Sequence, residues 1–313
     1  MRRYVLRRLG QAVIVLLGVS ILTFAIVHLI PGDPIRVALG TRFDQATYDA
    51  LRERAGFDQP LPIQYFQWLV SALGGDLGVS FRSGLPVTPT ILGRLPATMA
   101  LAFGALVIAL VIALPVGIIS AVRRGSVADY TGTVFSQIGI SMPDFWMGIM
   151  LILLFSATLG WLPSQGYVPL TEDPGGWLSH LIMPAVTVGV VSGSVLTRFV
   201  RSSMLEVLNQ DYTRTARSKG LSQRVIINRH VLKNALIPFV TVTGLQLAVL
   251  LGGVVIVEIL FSWPGLGQLA LIAVQRRDYS VLQGTVLLLA LITLLINLVV
   301  DLLYAWLDPR IRY

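Results

Sequence analysis

The chain has 313 residues, 55% of them hydrophobic and only 13% charged, with a mean hydropathy of +0.76, whereas a soluble domain carries about 25% charged residues. This composition excludes a soluble globular fold and indicates a polytopic, all-α membrane protein built from spanning helices of ~20 apolar residues each. The net charge of +8 does not point to nucleic acid, because the cations flank apolar runs, and the absence of Cys removes disulfides, thiolate nucleophiles and thiolate metal sites.

Arg2, Arg3, Arg7 and Arg8 precede an apolar run from Leu9 to Ile30. It reads as a first spanning helix, not a signal peptide, since it outruns the ~7 to 15 residues of a signal h-region. Pro31-Gly32-Asp33-Pro34 breaks it at the far interface. The interval 31–96 carries six basic and six acidic residues, and helical patterns over Asp44–Ala55 and Ile63–Leu73 predict an ordered extracytoplasmic cap. Gly74-Gly75-Asp76-Leu77-Gly78 then marks a turn. A second apolar run, Ala97–Val122, contains Pro115, which a membrane helix tolerates, and ends at Arg123-Arg124-Gly125.

The third segment, Asp129–Leu162, is too long at ~1.5 Å per residue for one ~30 Å span, and Pro143 divides it. Asp144 therefore lies either at mid-depth facing a cavity or at an interface. After a loop without Lys or Arg, Pro163–His180, come a fourth span, Leu181–Phe199, and a fifth, Ala235–Phe261. Ser262-Trp263-Pro264-Gly265-Leu266-Gly267 and a short amphipathic piece lead to the sixth, Val281–Leu303. Six spans put both termini on one side. That side holds 16 of the 24 Lys and Arg, and six of the other eight lie in the long first interval, which counts little for orientation. The termini and the basic loop between spans four and five are expected to be cytoplasmic.

That loop, Asp211 to Pro238, reads DYTRTARSKGLSQRVIINRHVLKNALIP. Asp211 is expected to cap a short helix whose last turn carries Lys219, with Gly220 as the left-handed residue that stops it. Ser222 is expected to cap a second helix running toward Pro238. Tyr212, Ala216 and Lys219 fall on one side of the first helix and Arg214 and Arg217 on another. A small Ala beside a Gly turn lets another protein approach the backbone closely, and the cations can meet its carboxylates. The competing reading is a plain basic loop of the kind positive-inside bias produces.

Arg214-Thr215-Ala216 followed by Arg217-Ser218-Lys219-Gly220 resembles the EAA-loop consensus of ABC importer permeases, Glu-Ala-Ala-x-x-x-Gly, in the Tyr-x-Arg-x-Ala-x-x-Lys-Gly form of the oligopeptide/dipeptide/nickel permease family. Arg3-Tyr4 with Arg7-Arg8-Leu9, Pro31-Gly32-Asp33-Pro34, Phe261 to Gly267 and Tyr304 to Tyr313 resemble the same family, in order along the whole chain. Arg214 and Thr215 depart from the general consensus, and Gly220 to Pro238 is longer than in it; both look normal for the peptide branch.

The resemblance implies a single transmembrane permease domain over 1–313 with the fold of a type I ABC importer permease and a cytoplasmic coupling loop at 206–235. It implies a bacterial or archaeal cytoplasmic membrane. By it, Asp211, Tyr212, Arg214, Thr215, Ala216, Arg217, Lys219 and Gly220 seat in a cleft of an ATPase subunit. The implied partners are a homologous second permease, two ATPases and an extracytoplasmic binding protein. The cargo is peptide, moved by alternating access; nickel complexes or another small solute are alternatives.

No phosphate-cradling loop is present, since the only lysines, Lys219 and Lys233, are not preceded by Gly; ATP and Mg belong on the partner subunits, with no cofactor in this chain. His28, His180 and His230 have no metal-ligand spacing, and no catalytic Ser/His/acid set is suggested, so the chain is expected to be non-catalytic. Asp144, Ser194, Thr197, Gln246 and Glu258 are candidates for a translocation path, though helix packing accounts for the small residues and an interfacial position for Glu258. An ion-coupled secondary transporter would instead show repeated halves with acids at mid-depth, of which Asp144 is the one candidate.

Overall fold

The computed structural model describes residues 2–29, 36, 44–54 and 58–307. The break at Pro31–Pro34 and the tail from Asp308 lie outside them. The described elements are helical: α1 (Arg2–Leu29), α2 (Gln45–Arg54), α3 (Leu61–Leu73), α4 (Val87–Leu92), α5 (Leu95–Val122), α6 (Val127–Ser141) and α7 (Asp144–Leu151), the last continued by a π-helical stretch Ile152–Thr158. There follow α8 (Pro174–Leu208), α9 (Asp211–Ser218), α10 (Gln223–Val225), a π turn Ile226–Val231, α11 (Leu232–Gly253), α12 (Val255–Leu260), α13 (Leu266–Arg276) and α14 (Tyr279–Leu307). Five of the described helical stretches are long and apolar enough to cross a membrane, and the bent pair α6–α7 makes up to six.

The bend between α6 and α7 is 101°. Its cause is local: Met142, which precedes a proline, is extended (φ −78°, ψ 127°), and Pro143 becomes the N-cap of α7. The third segment is thus an elbow, in agreement with the division expected at Pro143. The fourth span is longer than expected at both ends. Asp173 accepts the Gly175 N–H at 3.0 Å and Pro174 sits at the first position, so α8 starts seven residues early; it runs for 35 residues, past the ~30 Å that a bilayer core requires. The expected second arm ending at Pro238 is corrected. The helix is unbroken from Gln223 through Pro238 to Gly253, because freed backbone groups inside a membrane helix are re-satisfied by neighbours.

Two compact units emerge. The first comprises residues 1–5, 100–263 and 295–313. Here α8 is central, with Gly189 and Gly193 packed on the backbone of α5 at Ala105 and Ala109; a Cβ at Gly189 would come within 2.8 Å of the Ala105 carbonyl. This four-residue spacing of small residues brings two helices close, where dispersion is the main attraction in lipid. On α6 the buried residues Asp129, Gly132, Ser136 and Gly139 form one face. A Cβ at Gly139 would overlap Ser194 Oγ on α8. Gly139→Val is therefore expected to lower the yield of folded, membrane-inserted protein several-fold, measured by monodisperse recovery in detergent, whereas Ser141→Val on the exposed side of α6 leaves it unchanged.

The second unit comprises residues 6–99 and 264–294, with a core of Val87, Ile91, Leu266, Ala273 and Val281. Both helices expected in the interval after the first span are present, as α2 and α3. Gly75 and Gly78 adopt φ +87°, which makes the turn expected there. Ser80 Oγ donates to Asp278 Oδ2 at 2.5 Å, and Thr98 Oγ1 accepts the Leu266 N–H at 2.7 Å, tying the start of α13 to the base of α5.

Candidate functional site

The basic loop between α8 and α11 folds as a helix-turn-helix elbow. α9 is only eight residues long, and Gln210, not Asp211, is its N-cap. Asp211 is the first helical residue, exposed, with no capping bond. Its favourable place near the positive end of the macrodipole survives this correction. Lys219 is the C-cap and lies just outside the helix, and Gly220 takes the expected left-handed conformation, φ +77°, its N–H bonded to the Arg217 carbonyl at 2.9 Å. Ser222 is the N-cap of α10 by position but makes no side-chain capping bond.

The helix has two faces, divided differently from the sequence expectation. Thr213 and Ala216 are buried, while Asp211, Tyr212, Arg214, Thr215, Arg217, Ser218, Lys219 and Gly220 are exposed. Thr213 Oγ1 donates to the Val207 carbonyl at 3.0 Å, closing the α8–α9 turn. Ala216, 7% exposed, belongs to an apolar cluster with Met204, Ile226, Val231 and Ala235. Its small side chain therefore lets α9 approach this chain's own helices, not a partner. Asn234 Nδ2 donates to Tyr212 Oη at 3.0 Å from the far arm. The Arg214–Asp211 pair at 3.7 Å is too exposed to add much, so the guanidinium remains available to a docking surface.

Beneath the elbow, one turn of α8 bonds or packs to four other helices. Val200 packs on Gly117 of α5, Ser203 Oγ donates to the Ala235 carbonyl of α11 at 2.8 Å, and Met204 lies in the Ala216 cluster. Arg201 makes a forked pair with Asp129 of α6, Nε to Oδ1 at 2.7 Å and Nη2 to Oδ2 at 2.9 Å. Oδ2 also accepts the Gly125 N–H at 3.0 Å, so the buried carboxylate is well supplied with donors. The pair was not singled out from sequence, since 72 positions separate its members; the available signal was the helix start Ser126-x-x-Asp129.

The candidate path residues are dispersed among helix contacts. Ser194 Oγ donates to the Val190 carbonyl at 2.8 Å and Thr197 Oγ1 to the Gly193 carbonyl at 2.7 Å, each buried and bonded back to its own helix. Gln246 Nε2 donates to Ser192 Oγ at 3.0 Å, a bond between α11 and α8. Glu258 is buried on α12. Ser194, Thr197 and Glu258 are thus buried in the chain's own packing, and Gln246 is half-buried. Asp144 differs: it is half-buried at the α6–α7 bend, next in sequence to a hollow of about 410 Å³ lined by Gln137, Ile138, Ser141, Met142, Pro143 and Trp146. Among the described residues no cluster of His, Asp and Glu could hold a metal ion.

Residues 113–313 match the family described as the binding-protein-dependent transport system inner membrane component, and residues 1–102 match the N-terminal family of the same membrane components. The chain is 42% identical over its full length to the dipeptide transport system permease protein DppB of Escherichia coli strain K12, covering 99% of that protein. It is 44% identical to the glutathione transport system permease protein GsiC of Pectobacterium atrosepticum, with both chains covered completely. Among solved structures, the inward-facing MetNI methionine ABC transporter matches with a TM-score of 0.59 at 21% identity, over 70% of this chain and 96% of that one. A crystal structure of an amino acid ABC transporter with histidines gives 0.51 at 16% identity, over 72% and 95%. These structural likenesses identify the fold as that of an ABC importer permease.

Proposed function

The chain belongs to the binding-protein-dependent transport system inner membrane components, multi-pass proteins of the inner membrane, and from that premise we propose that it is the permease subunit of an ATP-driven importer of short peptides. The peptide assignment draws on relatives named for dipeptide and glutathione transport, the latter itself a peptide. Both units form one permease, with its termini and elbow in the cytoplasm, as the distribution of basic residues supports.

The observation that carries the reading is the two-faced α9. Its Thr213–Ala216 side is fixed to α8 and to the start of the long helix 223–253, while Arg214, Thr215, Arg217 and Lys219 stay open to a partner. We assign that open face, with Asp211, Tyr212 and Gly220 at its ends, to docking on a cytoplasmic ATPase that binds ATP and Mg. Ala216 acts from behind, holding the docked helix to the bundle. When the ATPase pair closes, α9 moves, and the turn Val200–Met204 passes that movement to α5, α6 and α11 together. A second permease completes the path, and a binding protein delivers the peptide. Asp144 and the hollow at the bend are the part of this chain assigned to the path, where a carboxylate meets a peptide ammonium.

The test is uptake of a labelled dipeptide by proteoliposomes holding both permeases and both ATPases, with binding protein outside and ATP inside. Uptake is expected only with ATP, and uptake that persists without the ATPase subunits overturns the reading in favour of an ion-coupled carrier. In the same system Gly220→Pro is expected to reduce uptake by more than about tenfold, because proline requires φ near −65° where this backbone has +77°, and it deletes the N–H bonded to Arg217. Gly220→Asn, which tolerates the left-handed region, should retain most of it.

A further inference from the structure

α3 has no charged residue, and its exposed and buried sides are the reverse of a water-soluble cap helix. Toward α1 it turns polar groups: Gln64 Oε1 lies 3.1 Å from His28 Nε2, and Tyr65 Oη lies 2.9 Å from Ser20 Oγ. Phe24, between these two positions on α1, meets the Tyr65 ring edge-on at 5.4 Å and the Trp68 ring at 6.3 Å. Outside these contacts, Phe66, Val70 and Leu73 recur at i, i+4 and i+7 and are 63%, 68% and 82% exposed. A row of this size left in water is unfavourable and marks a surface that something apolar covers.

The contacts with α1 fix the depth of α3. Ser20, Phe24 and His28 follow one another at one-turn spacing within the apolar span Leu6–Leu29. Phe24 stands five residues before the end of that span, about 7 Å along the axis at ~1.5 Å per residue. Interfacial amphipathic helices seat their apolar faces at ~5–10 Å, in the boundary between headgroups and acyl chains. Alongside, Ile21, Leu22 and Ile26 of α1 are themselves exposed, as lipid-facing residues of a span are. We propose that α3 lies in the outer leaflet, with Phe66, Val70 and Leu73 immersed in phospholipid acyl chains and Gln67 and Ser71 toward the headgroups. The extracytoplasmic interval is thereby anchored in the membrane at a second point beyond α1. The choice of outer over inner leaflet rests on the orientation proposed above; the contact with lipid does not.

The absence of cysteine from this chain makes the test direct. Val70→Cys, Leu73→Cys and Asp58→Cys are each labelled with a fluorophore in the assembled importer, its other subunits cysteine-free, in vesicles of phosphatidylethanolamine and phosphatidylglycerol. Labels at 70 and 73 are expected to be quenched several-fold more by lipids with a nitroxide high on the acyl chain than by aqueous iodide, and the label at 58 to show the reverse. Stronger quenching by iodide at 70 and 73 overturns the proposal, as does protection from both quenchers, which would mean that a second permease or binding protein covers the face. Asp58→Cys should react with a membrane-impermeant thiol reagent from the outside only. Reaction from the inside overturns the orientation, and the leaflet with it, while leaving the lipid contact to the quenching result.

Discussion

Ala216→Asp is expected to abolish peptide-stimulated ATP hydrolysis in the assembled importer, a loss of more than about tenfold, while the protein stays inserted in the membrane. The Ala216 side chain lies among Met204, Ile226, Val231 and Ala235, an apolar setting for a new carboxylate. An unpaired buried charge costs several kcal/mol, more than an eight-residue helix gains from its own hydrogen bonds, so α9 would leave its seat. Ala216→Ser, close in size and able to bond back to its own helix, should keep most of the activity. Normal stimulated hydrolysis by the Asp variant would show that α9 transmits nothing through this contact.

The second large effect is expected at Asp129. Asp129→Ala leaves Arg201 without its forked partner and the Gly125 N–H without its acceptor. Breaking such a pair costs about 3–5 kcal/mol when both members are buried; the Arg201 side chain is 30% exposed, so about 2–3 kcal/mol is the appropriate expectation. The readout is the thermal midpoint of the purified protein, with Asp129→Asn intermediate because it keeps an acceptor for Gly125. Adding Arg201→Leu to Asp129→Ala should recover part of the loss, since the uncompensated charge is removed. An Asp129→Ala protein as stable as the parent would mean that the pair does not hold α6 to α8.

Hydropathy located the spans well because in lipid each one must satisfy its own backbone, which makes a spanning helix legible from local composition alone. The two bends were legible for a similarly local reason: the prolyl ring at Pro143 fixes its own φ and turns Met142 out of the helix, and the missing side chain at Gly220 admits the φ of +77° that other residues rarely adopt. What remained hidden depends on distant partners. Periodicity grouped residues on α9 by face, but it could not say that the Ala216 face is already covered by Ile226 and Val231. α8 outran its hydropathic core because its last turns are held by Ser203, Arg201 and Met204 against other helices, not by lipid. The orientation of α3 was hidden because its buried polar side is explained only by Ser20 and His28, far off in the chain.

The brevity of α9 bears on how the transporter is assembled. Eight residues do not hold a helix in water unaided. The surface presented by Arg214, Arg217 and Lys219 therefore takes shape only once α8 and the helix after Gly220 have come together behind it. On the docking proposed for that face, recruitment of an ATPase follows completed insertion of both spans, and a half-inserted chain offers it nothing to bind.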